Sequence, residues 1–285
     1  MLVSLSTRQN FLFRPYADHF LRLLRRQVLD RNDTISTSFA VACGYLVRLA
    51  SDEEVTKLVD FCAKIYFDSE DDRHRAISGE IVFAVGKHAI DRFAALAGHI
   101  LPFVFVAKHD SYARAKELFS DTWNQNVGGS RAVMLYLGEI LETASPYLDS
   151  PRWSVKHTAA FAVADVIKSL GGGISAHDAG RIWPSMERAM GGKTWDGKET
   201  VLEAMVTLAK HSTVLADENV ANQMQVCAVI LGQRLPAQQL FILYADCSNS
   251  LFHRRSSFER VSGTTRNTGP LHLHVSGILS SFARQ

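Results

Sequence analysis

Residues 34–68 read TISTSFAVACGYLVRLASDEEVTKLVDFCAKIYFD, and this stretch decides the fold. Its first half, Ile35 to Leu49, is rich in alanine and almost uniformly apolar, the composition of a helix buried within a helix pair. Ser51-Asp-Glu-Glu54 is a capping box: the Ser51 hydroxyl is placed to accept from the backbone N–H three residues on, and Glu54 to reach back to the Ser51 amide. It opens a second helix, Asp52 to Phe67. Only Ala50 and Ser51 separate the two helices, so they must fold back antiparallel.

The same unit recurs outward from this stretch. Leading helices begin near Ile35, Asp72, Pro151 and Gly197, giving intervals of 37, 79 and 46 residues. The middle interval has room for two units, and a further pair, Ser111 to Asn126 and Arg131 to Ser145, lies inside it, joined through Gly128-Gly129. The second pair is Asp72 to Lys87 with a shorter partner, Ile90 to Ile100. The apolar run Leu101 to Ala107 has no period that separates strand from helix. It reads as the buried continuation of a helix, with Pro102 tolerated in a first turn. The fourth pair is Trp153 to Leu170 and Ala176 to Met190, with Gly171-Gly-Gly173 and Gly191-Gly192 at left-handed C-caps. Pro184 predicts a kink or an early stop. Lys198 to Lys210 and Asn219 to Leu231 make the fifth.

Helix pairs at a period of about forty residues are the signature of an α-solenoid of the HEAT or armadillo kind. The expected fold is therefore all-α, about five helix pairs over residues 34–234, stacked on a shared core of Ala, Val, Leu and Ile. Residues 1–33 supply a flanking amphipathic helix, Pro15 to Arg31. Residues 235–285 are atypical and expected to be partly disordered: no lysine follows Lys210, and five arginines face one glutamate from Leu251 onward. Such an array offers a long curved surface, and its usual work is to hold other proteins.

Composition narrows the function further. A net charge of +2, from 31 basic and 29 acidic residues, gives no bulk attraction for nucleic acid. No apolar run approaches the roughly eighteen residues of a membrane span. Arg8 and Arg14 precede the first acid, Asp18, but the segment lacks the apolar core of a secretory signal. Cys43, Cys62, Cys227 and Cys247 are scattered with no C-x-x-C pair, so a reducing compartment, cytosol or nucleus, is expected.

Motifs for chemistry fail on inspection. Gly192-Lys-Thr194 lacks the earlier P-loop glycine, since that position is Glu187, and helix rather than strand precedes it. Eleven histidines include no His-Glu-x-x-His; His272 and His274 have no nearby carboxylate. No Gly-x-Ser-x-Gly elbow occurs. Asp68 to Asp72 lacks the spacing of a calcium loop and reads as a solvated turn at a helix N-terminus. Arg254-Arg-Ser-Ser257 is a chance-prone kinase-like string. Arg22, Arg25 and Arg26 could meet an acidic partner, but a solvated helix face is the simpler reading. No enzyme, cofactor, metal or small-molecule substrate is expected. Two tryptophans carry more information. Trp153 opens a helix that continues through Lys156 and Ala159 to Val163, and Trp195-Asp-Gly-Lys-Glu199 lies in an inter-repeat loop. A loop tryptophan is a wedge between repeats or a binding anchor, and the wedge is the preferred reading here.

Several phrases resemble a known family. They are Ala40 to Arg48; Leu101-Pro-Phe-Val-Phe105 running to His109-Asp110; Trp123 through Gly129 to Leu135-Tyr-Leu-Gly-Glu-Ile140; Ser150-Pro-Arg-Trp153 with Lys156 and Ala159-Ala160; and Trp195 to Glu199. In this order, over about Thr34 to Ser212, the chain resembles the C-terminal portion of the large HEAT-repeat proteasome adaptor and scaffold, the Ecm-type proteasome-associated protein family. The resemblance implies a non-enzymatic scaffold, cytoplasmic and nuclear, that binds proteasome core and regulatory particles and helps tether or stabilise them. The alternative is a generic HEAT module of another class, such as a transport receptor or a phosphatase or chromosome scaffold. Trp123, Trp153, Trp195 and Lys198 are the candidate interaction residues.

Overall fold

The computed structural model describes residues 1–127, 129–190 and 197–211, and every regular element within them is helical. Helices α1 (Leu2–Arg8) and α2 (Asn10–Gln27) come first. The stretch read above folds as α3 (Asp33–Leu46) and α4 (Asp52–Asp68). Next come α5 (Asp72–His88), then α6 (Ile90–Ala95) and α7 (Ala97–Ala107). They are followed by α8 (Ala113–Asn126), then α9 (Ser130–Leu135) and α10 (Leu137–Ala144). Helices α11 (Trp153–Leu170) and α12 (Ala176–Met190) form the fourth pair, and α13 (Lys198–His211) opens the fifth. The fifth pair's expected second helix, 219–231, and the 235–285 segment lie outside the described residues, as do Cys227 and Cys247.

Local chemistry explains the boundaries. The Asn32 side chain accepts from the Thr34 and Ile35 amides, Ser51 Oγ from Glu54 N, and Asp71 from Arg73 N, so each starts its helix with a side-chain cap. The capping box is half as expected. Glu54 does not return to the Ser51 amide; that N–H donates to Asp18 Oδ1 of α2 at 2.7 Å, while Glu54 turns to Lys57 and Arg25. The cap thereby ties the first helix pair to the flanking helix α2.

Four expectations need correction. Pro102 is not in a first turn, because α7 begins at Ala97; the proline sits inside a fully packed segment, Ile100 to Ala107. Of the kink or early stop expected at Pro184, the early stop does not occur, since α12 runs on to Met190. Helix α3 is not covered on every side, since Ile35 and Val41 face outward. The second members of the second and third units are each split into two helices, at Leu96 and Tyr136, so sequence period alone gave them as single pieces.

Helices α3, α5 and α8 stack side by side in one row, and α2, α4, α7 and α10 line the other. Gly44 shows how close the first row packs: a Cβ there would lie 2.5 Å from the Ala84 carbonyl oxygen and 2.8 Å from its Cβ. The row then changes course. Helix α11 packs on α7, α9 and α10 rather than on α8, and carries α12 and α13 against its other faces. One apolar core runs through the whole stack, from Leu21 and Leu46 through Phe105, Phe119 and Ile140 to Ile167, Ile182 and Leu208.

Candidate interaction surface

The change of course at α11 is built on the turn after α7. Lys108 Nζ meets Asp165 Oδ2 of α11 at 2.9 Å, and His109 Nε2 approaches the same oxygen at 3.2 Å. The ammonium also lies 4.3 Å from the Phe105 ring centre and 5.2 Å from that of Trp123, which itself packs edge-on to Phe105. Burial holds the His109 imidazole below its usual range despite the nearby carboxylate, so at neutral pH the ring is uncharged and Lys108 is the charge partner of Asp165. Burial of Asp165 acts to raise its carboxyl, but His109 and Lys108 outweigh it and hold it well below the usual carboxylate range.

One residue on, Asp110 is buried and receives Arg75 of α5 as a fork, Nε to Oδ2 at 2.9 Å and Nη2 to Oδ1 at 3.3 Å. Asp110 Oδ1 also accepts from Tyr112 N at 2.7 Å, and Arg75 reaches Asp72 at 2.9 Å. The Tyr66 hydroxyl of α4 donates to the Ala107 carbonyl at 3.5 Å, and burial together with Asp110 pushes its phenol far up. A second brace crosses the same region. Arg152, just before α11, donates to the Ser69 carbonyl at 2.9 Å and to the Phe67 carbonyl, capping the C-terminus of α4; Tyr147 stacks on Phe67 at 4.0 Å.

On this base α11 presents an aromatic ladder. Trp153, His157 and Phe161 recur every fourth residue, with ring centres 5.1 Å and 4.1 Å apart. Burial lowers the His157 imidazole, with Lys116 acting in the same direction and Asp110 and Glu199 against it. The ring is thus neutral at pH 7 and stacks as an apolar plate. Trp153, at 49% exposure, ends the ladder at the surface.

The four residues singled out from sequence fall in different settings. Trp153 is exposed at the ladder's end. Trp123 is buried in the wall between α7 and α8, and Lys198 is buried with its ammonium donating to the Met190 carbonyl at 2.8 Å, so neither side chain is displayed. Trp195 lies outside the described residues. Arg75 and Tyr66 carry no signal in the sequence, and Asp110 and Arg152 enter only as parts of family-like phrases. Arg75 is one of a run of ionisable residues, Asp71 to Arg75, that opens α5, and nothing local marks it for a partner 35 positions away. Among the described residues no group of three or more His, Cys, Asp or Glu side chains converges as a metal site, and no helix is long and apolar enough to cross a membrane. Burial pushes the Cys43 thiol up to about 12 and raises Cys62 as well, so both stay protonated core groups.

Comparison with known proteins agrees with the helix pattern. Residues 1–67 match the family described as "Proteasome adapter and scaffold protein ECM29, HEAT-repeat domain". The match begins upstream of Thr34, where the sequence phrases started. The chain is 28% identical over 230 residues to the proteasome adapter and scaffold protein ECM29 of Homo sapiens, covering 78% of this chain and 12% of that protein. It is 25% identical over 222 residues to the proteasome component ECM29 of Saccharomyces cerevisiae, covering 77% of this chain and 12% of the yeast protein. The Schizosaccharomyces pombe counterpart is 27% identical over 227 residues. The chain thus spans roughly an eighth of the length of these relatives. Among solved structures, a designed armadillo repeat protein overlays with a TM-score of 0.40 at 10% identity, covering 81% of this chain and 99% of that one. The fold assignment rests on the helix order and packing.

Proposed function

From its relationship to the ECM29 proteasome adaptors, we propose that this chain is a non-enzymatic scaffold segment that binds the proteasome and helps tether its core and regulatory particles. The observation that carries the reading is the sequence relationship to ECM29 proteins over more than three quarters of the chain. The architecture supports it: a stacked array with a continuous core presents a long, braced surface to a large partner. Trp153 and the ladder behind it are the proposed contact. Tryptophan at a rigid surface position gives large contact area at small entropic cost, and the Lys108–Asp165 and Arg152 braces hold α11 in place for it. The proposed place of work is the cytoplasm and nucleus, the reducing compartments in which unpaired cysteines are the default. Neither nucleic acid nor a small-molecule substrate takes part.

The test is affinity capture of the tagged full chain from ATP-containing cytosol, read by mass spectrometry. Stoichiometric core and regulatory subunits are the expected result, and Trp153→Ala is expected to reduce them without changing the helical circular dichroism. A folded chain that captures no proteasome subunit would overturn the reading and leave a HEAT module of another class.

A further inference from the structure

Helix α2 has two apolar faces, and only one is used inside the stack. Phe13, Ala17, Leu21 and Leu24 are buried against the neighbouring helices. On the opposite side Leu12, Tyr16, His19 and Leu23 recur at the spacing of a single helical stripe. Leu12 is 69%, Tyr16 59% and Leu23 40% exposed. Arg22 and Arg26, one turn apart, run along one edge of this stripe. Arg8, Arg14, Arg22 and Arg26 are all exposed, and among the described residues none has a carboxylate within 4 Å. Residues 1–29 hold five arginines against the single acid Asp18, whose carboxylate is taken by the Ser51 amide.

We propose that the outer face of α2 docks an amphipathic helix of another protein, one whose apolar stripe is edged with glutamate or aspartate. The stripe carries about one apolar residue per turn, the spacing of a helix–helix seam, with Phe11, 86% exposed, beside its first turn. Its position continues the second row of the stack: α2 packs on α4 on one side, and a helix on the stripe would pack on its other side. The charge selects the occupant. A carboxylate edge beside Arg22 and Arg26 pairs with two exposed guanidinium groups that have no carboxylate within 4 Å, Arg22 giving its Nε–H to the Asp18 carbonyl at 3.3 Å. A second copy of this face would oppose arginine with arginine, which disfavours self-pairing. This site is on α2, far along the chain from the α11 ladder, and stands independently of it.

The experiment uses the full chain and two designed helical peptides sharing one leucine stripe, edged with glutamates in one and lysines in the other, followed by fluorescence anisotropy. The acid-edged peptide is expected to bind, more weakly as salt rises, and the lysine-edged peptide not to bind. L12S/Y16S/L23S should weaken binding at least about tenfold. R22E/R26E, which changes only exposed side chains, should reverse the preference between the peptides, with circular dichroism unchanged. Equal binding of both peptides, or of neither, would overturn the proposal. Concentration-dependent dimers abolished by L12S/Y16S/L23S would assign the face to a second copy instead. Binding to phosphatidylserine vesicles abolished by the same variant would assign it to a membrane.

Discussion

The Arg75–Asp110 pair concentrates the largest residue-scale effect. Both side chains are buried, so removing either strands a charge in a medium that cannot solvate it. Asp110→Ala is expected to cost about 3–5 kcal/mol in chemical denaturation, whereas R75M/D110L, which removes both charges, should cost clearly less. A double variant as unstable as the single would show that shape rather than charge governs the node. Acid acts at the next residue. Burial favours the neutral form of His109, so its folded pKa lies below the unfolded value of about 6.5. The stability it contributes is complete above that value and is lost as pH falls through it toward the folded pKa. Asp165, also held low, adds a loss in the same direction at stronger acid. The melting temperature is therefore expected to drop between pH 7.5 and 5.5, and His109→Gln, which cannot titrate, to show a smaller drop over that range. An equal drop in the variant would move the effect to another group.

Between neighbouring helices the controlling quantity is distance of approach. Helix α3 meets α5 where Gly44 faces the Ala84 backbone, and backbone cannot move aside as a side-chain tip can. Gly44→Val is expected to separate the two helices and destabilise the chain by about 1–3 kcal/mol or more, while Gly180→Val, with open space around it, serves as the control in the same thermal melt. Ala160 lies at 0% exposure in the middle of α11. Ala160→Asp places an unpaired charge there and should unfold the centre of the array; an unchanged melting curve would mean that the α11 faces are wrongly assigned. These elements were legible in advance to different degrees. Helices α3, α4, α5 and α12 follow their apolar period and side-chain caps, and α11 its apolar period alone; Gly171, expected in a left-handed C-cap, ends α11 at φ 47° and ψ −129°. The breaks at Leu96 and Tyr136 each fall two residues before a glycine, Gly98 and Gly138, that by itself does not fix a helix end; Pro184 signals a stop that does not occur, and Pro102 lies inside α7 rather than in a first turn. Of the surface, Trp153 was legible because a tryptophan opening a helix is unusual. The partners that support it, Asp165 and Arg152, were not, because long-range pairing leaves no local period.

At the scale of the molecule the array departs from a chain of nearest neighbours. In a simple solenoid each repeat touches only the next, and stability is close to a sum of local terms. Here Arg152, at the start of the fourth pair, caps α4 at the end of the first, with Tyr147 stacked on Phe67 beside it. Helix α11 also packs directly on α7. These contacts close a loop of 83 residues between Arg152 and Ser69, so the intervening units are held from both ends and should open together. Arg152→Ala removes the clamp without touching the apolar core. Hydrogen exchange read by mass spectrometry is expected to show faster exchange in two places at once, the last turn of α4 and the first turns of α11, with α5 to α10 following to a smaller degree and α3 unchanged. Faster exchange confined to α11 would mean that the brace is a local cap and that the stack unfolds pair by pair. Coupled exchange would explain how so long an array keeps the Trp153 ladder at a fixed distance from α2: two surfaces on one braced body can engage a large partner together, and the second contact then forms at high effective concentration.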